Sequence, residues 1–299
     1  MTVEDQSVPE PSPPPPRGSR LFPVILAMCL ALTGGYELGQ LTHSHGPAVP
    51  GAAGAHTHGP GVTAGLEVGG LAISAGGYTL VPASTTFVPG VPGNLRFRIT
   101  GPDGDAVTRY ATVADRQLHL VVVRRDLSGY QHLHPALGGD GNWSTPLLLS
   151  AAGPWRFFAD FSAIAANGTQ VPLTLGADLT VAGSYEPRAL PAAQRTWIQD
   201  GLGVAYSGTP RVGTTQPLVF QVSRTGQPAS LERHLGAYGH LVVVREGDLG
   251  YLHVHPDPGL VGGGVRFWVT APSVGRYRLF FDYQTAGTVH TAEFTLEVQ

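Results

Sequence analysis

The stretch "HLVVVRRDLSGYQHLHP" (residues 119–135) returns 121 residues later as "HLVVVREGDLGYLHVHP" (residues 240–256), with eleven of seventeen positions identical and the three histidines at the same spacing. An apolar run, a Gly/Asp break and a resumed run read as a β-hairpin. With Asp126-Leu127 and Gly247-Asp248 as two-residue tips, His119 pairs across from His134 with His132 on the adjacent diagonal. His240 stands in the same relation to His255 and His253. Alternate side chains on a strand share a face, so each copy gathers three imidazoles on one face.

Outward from these hairpins the flanks repeat too. "LRFRIT" (95–100) answers "LVFQVS" (218–223), and "GPWRFFADF" (153–161) answers "GRYRLFFDY" (275–283), in the same order. The repeating unit is therefore a domain. Short period-two runs bounded by "GPDGD" and "GGDGN" predict antiparallel strands, and no window carries an amphipathic helical stripe. The fold class expected is all-β: two tandem Ig-like antiparallel β-sandwich domains after a single N-terminal transmembrane helix, with no disulfide of the antibody type. The sandwiches are placed at 66–183 and 200–299, with a linker at 184–199.

The first 65 residues differ in kind. Residues 1–20 are proline-rich and polar and read as a disordered cytoplasmic tail. Residues 21–41 read as a membrane anchor, with no charge from Leu21 to Tyr36. That is a short span against the roughly 20 residues usually needed. Arg17 and Arg20 precede it, so the positive-inside rule puts the C-terminal domains outside the cytoplasm. A cleaved signal peptide is the alternative, with only a poor small-residue site at Thr33-Gly34-Gly35. Residues 42–65 form a Gly/Ala/Pro-rich tether carrying His43, His45, His56 and His58 as two H-x-H pairs, weaker candidates for metal chelation beside the reading as a polar spacer.

Composition narrows the function classes. Charged residues are 13% of the chain, about half the usual share, and the net charge of −3 comes without a basic block. Nucleic acid is therefore not an expected partner. Cys29, the one cysteine, lies in the apolar run, leaving neither a disulfide framework nor a thiolate cluster. No nucleophile elbow, H-E-x-x-H helix or phosphate loop is present, so no enzyme is expected.

The candidate ligands are His119, His132, His134, His240, His253 and His255. Three imidazoles with an open position suit Cu(II) or Zn, and no Met or Cys accompanies them to favour Cu(I). The competing reading makes them structural: His119 shares its face with Val121 and Val123, which this reading assigns to a core. Asp160 and Asp282 hold equivalent strand positions and read first as solvent-facing, with ligation or orientation of an imidazole as the alternative. Trp143, Trp155, Trp197 and Trp268 read as core aromatics.

The segments "LERHLGAYGHLVVVREGDLGYLHVHP" and "GRYRLFFDYQTAGTVHTAEFTLEV" resemble bacterial extracytoplasmic Ig-like, FixH-like sandwich domains, whose pattern is G-x-x-G-H-x-V-V, Y-x-H-x-H-P and G-x-Y-x-x-x-x-x-[FY]. The resemblance covers roughly 217–299 well and 93–183 more loosely. It implies an envelope location, an association with copper or heavy-metal handling, and His240, His253 and His255 as the family's histidines, with His119, His132 and His134 by repeat. Two departures bear on it: Tyr238 stands where the family often has Met, and "DRQL" replaces the glycines before His119. The function expected is a membrane-anchored extracytoplasmic protein that sequesters or relays copper or zinc, with a membrane transporter or envelope protein as possible partner. The alternative is a non-catalytic Ig-like interaction module with structural histidines.

Overall fold

The computed structural model describes residues 68–252 and 254–299. The tail, the anchor, the tether with His43, His45, His56 and His58, and also His253, lie outside the described residues. Among the described residues no helix is long and apolar enough to cross a membrane.

Among the described residues, twenty strands account for the regular structure. The first repeat contains β1 (Ser74–Ala75), β2 (Tyr78–Pro82), β3 (Thr86–Phe87), β4 (Gly93–Thr100), β5 (Leu118–Arg124), β6 (Gln131–Leu133), β7 (Ala136–Leu137), β8 (Asn142–Leu147), β9 (Gly153–Ile164) and β10 (Gln170–Val181). The second contains β11 (Thr196–Gln199), β12 (Leu202–Ser207), β13 (Thr215–Arg224), β14 (Gln227–Pro228), β15 (His240–Arg245), β16 (Tyr251–Leu252), β17 (His255–Pro256), β18 (Val265–Thr270), β19 (Gly275–Thr285) and β20 (Thr288–Val298).

Sheet order is β1-β2-β4-β8-β7 against β3-β10-β9-β5-β6 in the first repeat, and β11-β12-β13-β18-β17 against β16-β15-β19-β20 in the second. This is the immunoglobulin arrangement, an A-B-E-D sheet facing a G-F-C-C′ sheet. In the first repeat the opening strand changes sheets, with β3 pairing parallel to β10.

Local sequence explains the layers. In β4 Leu95, Phe97 and Ile99 are buried while Arg96 and Arg98 face outward, the alternation of a strand covered on one side. In β5 the pattern is different. Leu118, Leu120 and Val122 enter the first repeat's core, while Val121 and Val123 join a third cluster with Leu127, Phe158, Val242, Val244, Leu249, Tyr251 and Phe280. An uninterrupted "LVVV" is what a strand covered on both faces requires.

That third cluster is a seam between the two G-F-C-C′ sheets, and its contacts are reciprocal. Tyr130 of the first repeat stacks on Phe280 of the second at 4.1 Å between ring centres, and Tyr251 of the second meets Phe158 of the first at 5.4 Å. Each hairpin contributes a leucine in the left-handed region, Leu127 (φ 62°) and Leu249 (φ 63°). The expected two-residue tip gives way in the first copy to a three-residue turn, closed by Leu127 N–H donating to Arg124 O (2.8 Å) and Arg124 N–H donating to Ser128 O (2.9 Å). This turn places Leu127, 3% exposed, in the third cluster. Of the four tryptophans, Trp143 and Trp155 are buried. Trp268 is not, at 37% exposure, because it sits on an outward position of β18.

Candidate metal centre

The first hairpin keeps the register read from the sequence. Leu120 pairs with Leu133 and Val121 with His132, and continuing that register sets His119 opposite His134. The three side chains meet: one ligand nitrogen from each of His119, His132 and His134 lies within 4.8 Å of the others. His119 Nδ1 is 3.1 Å from His132 Nε2. Metal–nitrogen bonds of about 2.0–2.1 Å set neighbouring donors about 3.3 Å apart in a tetrahedral site, and about 2.9 Å apart in a square-planar one. The observed spacing suits either.

The far nitrogens decide what this pair is. His119 Nε2 lies 3.0 Å from the carbonyl of Val113, and His132 Nδ1 lies 2.9 Å from Asp282 Oδ2. A carbonyl and a carboxylate only accept, so both of these nitrogens carry protons. In the neutral rings, His119 Nδ1 and His132 Nε2 then present lone pairs to each other with no hydrogen between them. His134 adds a buried Nε2 without a hydrogen-bond partner. Converging lone pairs on His119 and His132, each ring held from behind by an acceptor, are the arrangement metal-binding histidines adopt. A shared proton is the other way to relieve the confrontation. Burial, and then His132, hold His119 below its ordinary value, which opposes that proton. Burial and the neighbouring histidines likewise lower His134 to about 3.

The centre draws on both repeats. His240 lies 6.1 Å from His119 and 5.9 Å from His132 between ring centres. Its Nε2 donates to the carbonyl of His234 at 3.0 Å, the residue six positions earlier, as Val113 is for His119. Burial lowers His240 to about 4.

Asp282, which the sequence read first as solvent-facing, is 5% exposed. It accepts from His132, from the hydroxyl of Tyr130 (2.8 Å) and from Thr291 Oγ1. It therefore orients a histidine of the opposite repeat. Burial, with the charge of Asp282, raises Tyr130 well above the ordinary tyrosine range. Asp160, its counterpart, accepts from Thr174 Oγ1 at 2.9 Å. Val113 and His234 were not legible as site residues, and for Asp282 the orientation of an imidazole was read only as the alternative to a solvent-facing place. The one signal was the double-faced "LVVV", which implies a second layer over the histidine face.

His255 is placed differently from His134. It was expected opposite His240, yet β16 ends at Leu252 and His255 is exposed on β17, paired with Trp268 of the other sheet. The reason lies across the ladder. Asp257 N–H donates to Arg266 O at 2.9 Å, so two residues back His255 is also a hydrogen-bonding position opposite Trp268. Asp257 Oδ2 and Oδ1 fasten this stretch further by accepting from Arg266 Nε (2.7 Å) and Trp268 Nε1 (2.8 Å). In the first repeat Ala136 pairs with Ser144, and the same register sets His134 opposite Pro146. Proline has no N–H to donate, so the ladder stops and His134 turns toward His119.

Residues 73–178 and 196–299 each match the family model described as "Domain of unknown function (DUF8832)". The chain belongs to this family. It carries two copies of the DUF8832 domain, and each copy spans one of the two sandwiches. No curated protein sequence matches the chain. Solved structures with similarity to this DUF8832 chain include the Escherichia coli adhesin FdeC, at 18% identity over 76% of this chain and 66% of that one, TM-score 0.27. Invasin, a bacterial integrin-binding protein, is 14% identical over 76% of this chain and 41% of its own, TM-score 0.22. The Ig1-2 module of the Drosophila receptor protein tyrosine phosphatase DLAR is 11% identical over 74% and 98%, TM-score 0.20.

Proposed function

We propose that this DUF8832 protein binds a Cu(II) or Zn ion at His119, His132 and His134 and acts in metal sequestration or relay at the cell envelope. The observation that carries the reading is the 3.1 Å approach of His119 Nδ1 to His132 Nε2, with both opposite nitrogens committed to acceptors. Imidazole donors suit these two ions. The anchor segment at 21–41, uncharged from Leu21 to Tyr36 and preceded by Arg17 and Arg20, supports a single-pass anchor with the sandwiches outside the cytoplasm. The H-x-H pairs of the tether then serve as a loose collector, delivering the ion to the buried centre. A membrane transporter or another envelope protein is the partner such a relay calls for, and no catalytic role is proposed.

The test is metal stoichiometry of the full chain with His43, His45, His56 and His58 replaced by Ala. About one Cu(II) or Zn ion per chain is expected at neutral pH, and His132→Ala should abolish it. A chain that keeps all domain histidines and takes up neither ion overturns the reading. The rival, an interaction module, is supported by the Ig-like sandwiches and by Ile198, an apolar side chain 82% exposed on edge strand β11.

A further inference from the structure

We infer that His240 is the fourth donor of the centre, so that the bound ion ties the two repeats together through four imidazole nitrogens. The inference rests on the metal reading above and extends it from one repeat to both.

Three observations carry it. His240 is the repeat counterpart of His119, and its Nε2 is engaged in the same way, by the carbonyl six residues earlier. Its Nδ1 is therefore the lone-pair nitrogen, as in His119. Distance is the second. Four imidazoles around a tetrahedral ion, with bonds of about 2.0–2.1 Å, stand with ring centres about 5.2 Å apart. His119, His132 and His134 lie at 5.4, 5.2 and 4.8 Å from one another. His240 stands at 6.1 and 5.9 Å from His119 and His132, outside the 4.8 Å grouping of the other three, so its ring must move inward to join them. The seam is the third: Asp282 of the second repeat already holds His132 of the first at 2.9 Å, so the two halves of the donor set are in register before any ion arrives.

Four nitrogen donors close the coordination sphere. A closed site holds its ion and offers no open position for substrate, which favours sequestration over hydrolysis. It also makes the ion part of the seam, so loading should stiffen the contact between repeats.

The experiment uses the full chain with the tether histidines replaced by Ala, and Cu(II) alone as the probe. Electron paramagnetic resonance of the loaded chain should count four imidazole nitrogens. His240→Gln keeps an N–H for the His234 carbonyl but lacks the Nδ1 donor. It should show three nitrogens and bind more than about 100-fold more weakly, beyond the 10- to 100-fold that loss of an orienting partner costs. Amide exchange at Val121, Val123, Val242 and Val244 should slow on loading in the parent and not in His240→Gln. Three nitrogens in the parent, or parent affinity and spectrum in a folded His240→Gln, overturns the inference and leaves the three-histidine reading in place. A parent that binds no Cu(II) overturns the inference along with any copper form of that reading.

Discussion

Replacing Asp282 with Ala tests the seam and the centre together. Its carboxylate accepts from His132 Nδ1 at 2.9 Å and from Tyr130 at 2.8 Å, both across the repeat boundary, and from Thr291 within its own sheet. Thr291 is half-buried and can turn toward water. The other two donors are set in the seam, and each buried donor left unpaired costs about 1–3 kcal/mol. Asp282→Ala should therefore lower the stability of the metal-free chain by about 2–6 kcal/mol, read as a drop in urea midpoint by tryptophan fluorescence. Freed from its acceptor, His132 no longer holds its proton on Nδ1, and affinity for Cu(II) or Zn should fall about 10- to 100-fold. A stability change within about 0.5 kcal/mol, the behaviour of an exposed side chain, would refute the burial and bonding on which this reasoning rests.

Tyr130→Phe keeps the stack on Phe280 and loses one hydrogen bond, so it should cost about 1 kcal/mol and leave metal affinity unchanged; a double-mutant cycle with Asp282→Ala should show the two effects coupled. The metal-free chain should also lose stability in acid. His134 and His240 are held at about 3 and about 4 when folded, against about 6.5 unfolded. The unfolded chain thus binds more protons below 6.5, and stability that is complete above that value declines as pH falls toward 4 and 3. Urea midpoints across pH 7 to 4 should fall in the parent and fall less in His134→Ala. Pro146→Val restores an N–H opposite His134, lets β7 extend as β17 does, and should weaken Cu(II) binding by tenfold or more while protecting a new backbone amide at position 146 from exchange.

Much of the fold could be read from the chain, since its two decisive signals are local. Period-two burial gave strands such as "LRFRI", and the spacing around Asp126-Leu127 gave the register that sets His119 across from His134, although the turn itself was longer by one residue. The composite centre was hidden for reasons that are not local. His240 reaches His119 only through the docking of one repeat on the other, which depends on Tyr130, Phe158, Tyr251 and Phe280 interleaving. Asp282 reads as an outward strand residue until a second sheet covers it. The different fates of His134 and His255 were written in Pro146 and Trp268, twelve and thirteen residues downstream in another strand. Equal histidine spacing concealed unequal neighbours.

The reciprocal seam makes this chain a dimer in one polypeptide. Two separate copies meeting on such a surface would be bound by their symmetry: a proline opposite one histidine would be a proline opposite both, and every donor would appear in duplicate about the axis. Joining the halves removes that constraint. One half can release its histidine strand while the other zips it up, and one half can lend an orienting carboxylate that the other receives. An odd-handed donor set, three imidazoles from one side and one from the other, lies beyond the reach of any twofold pair of identical subunits and within reach of a tandem chain.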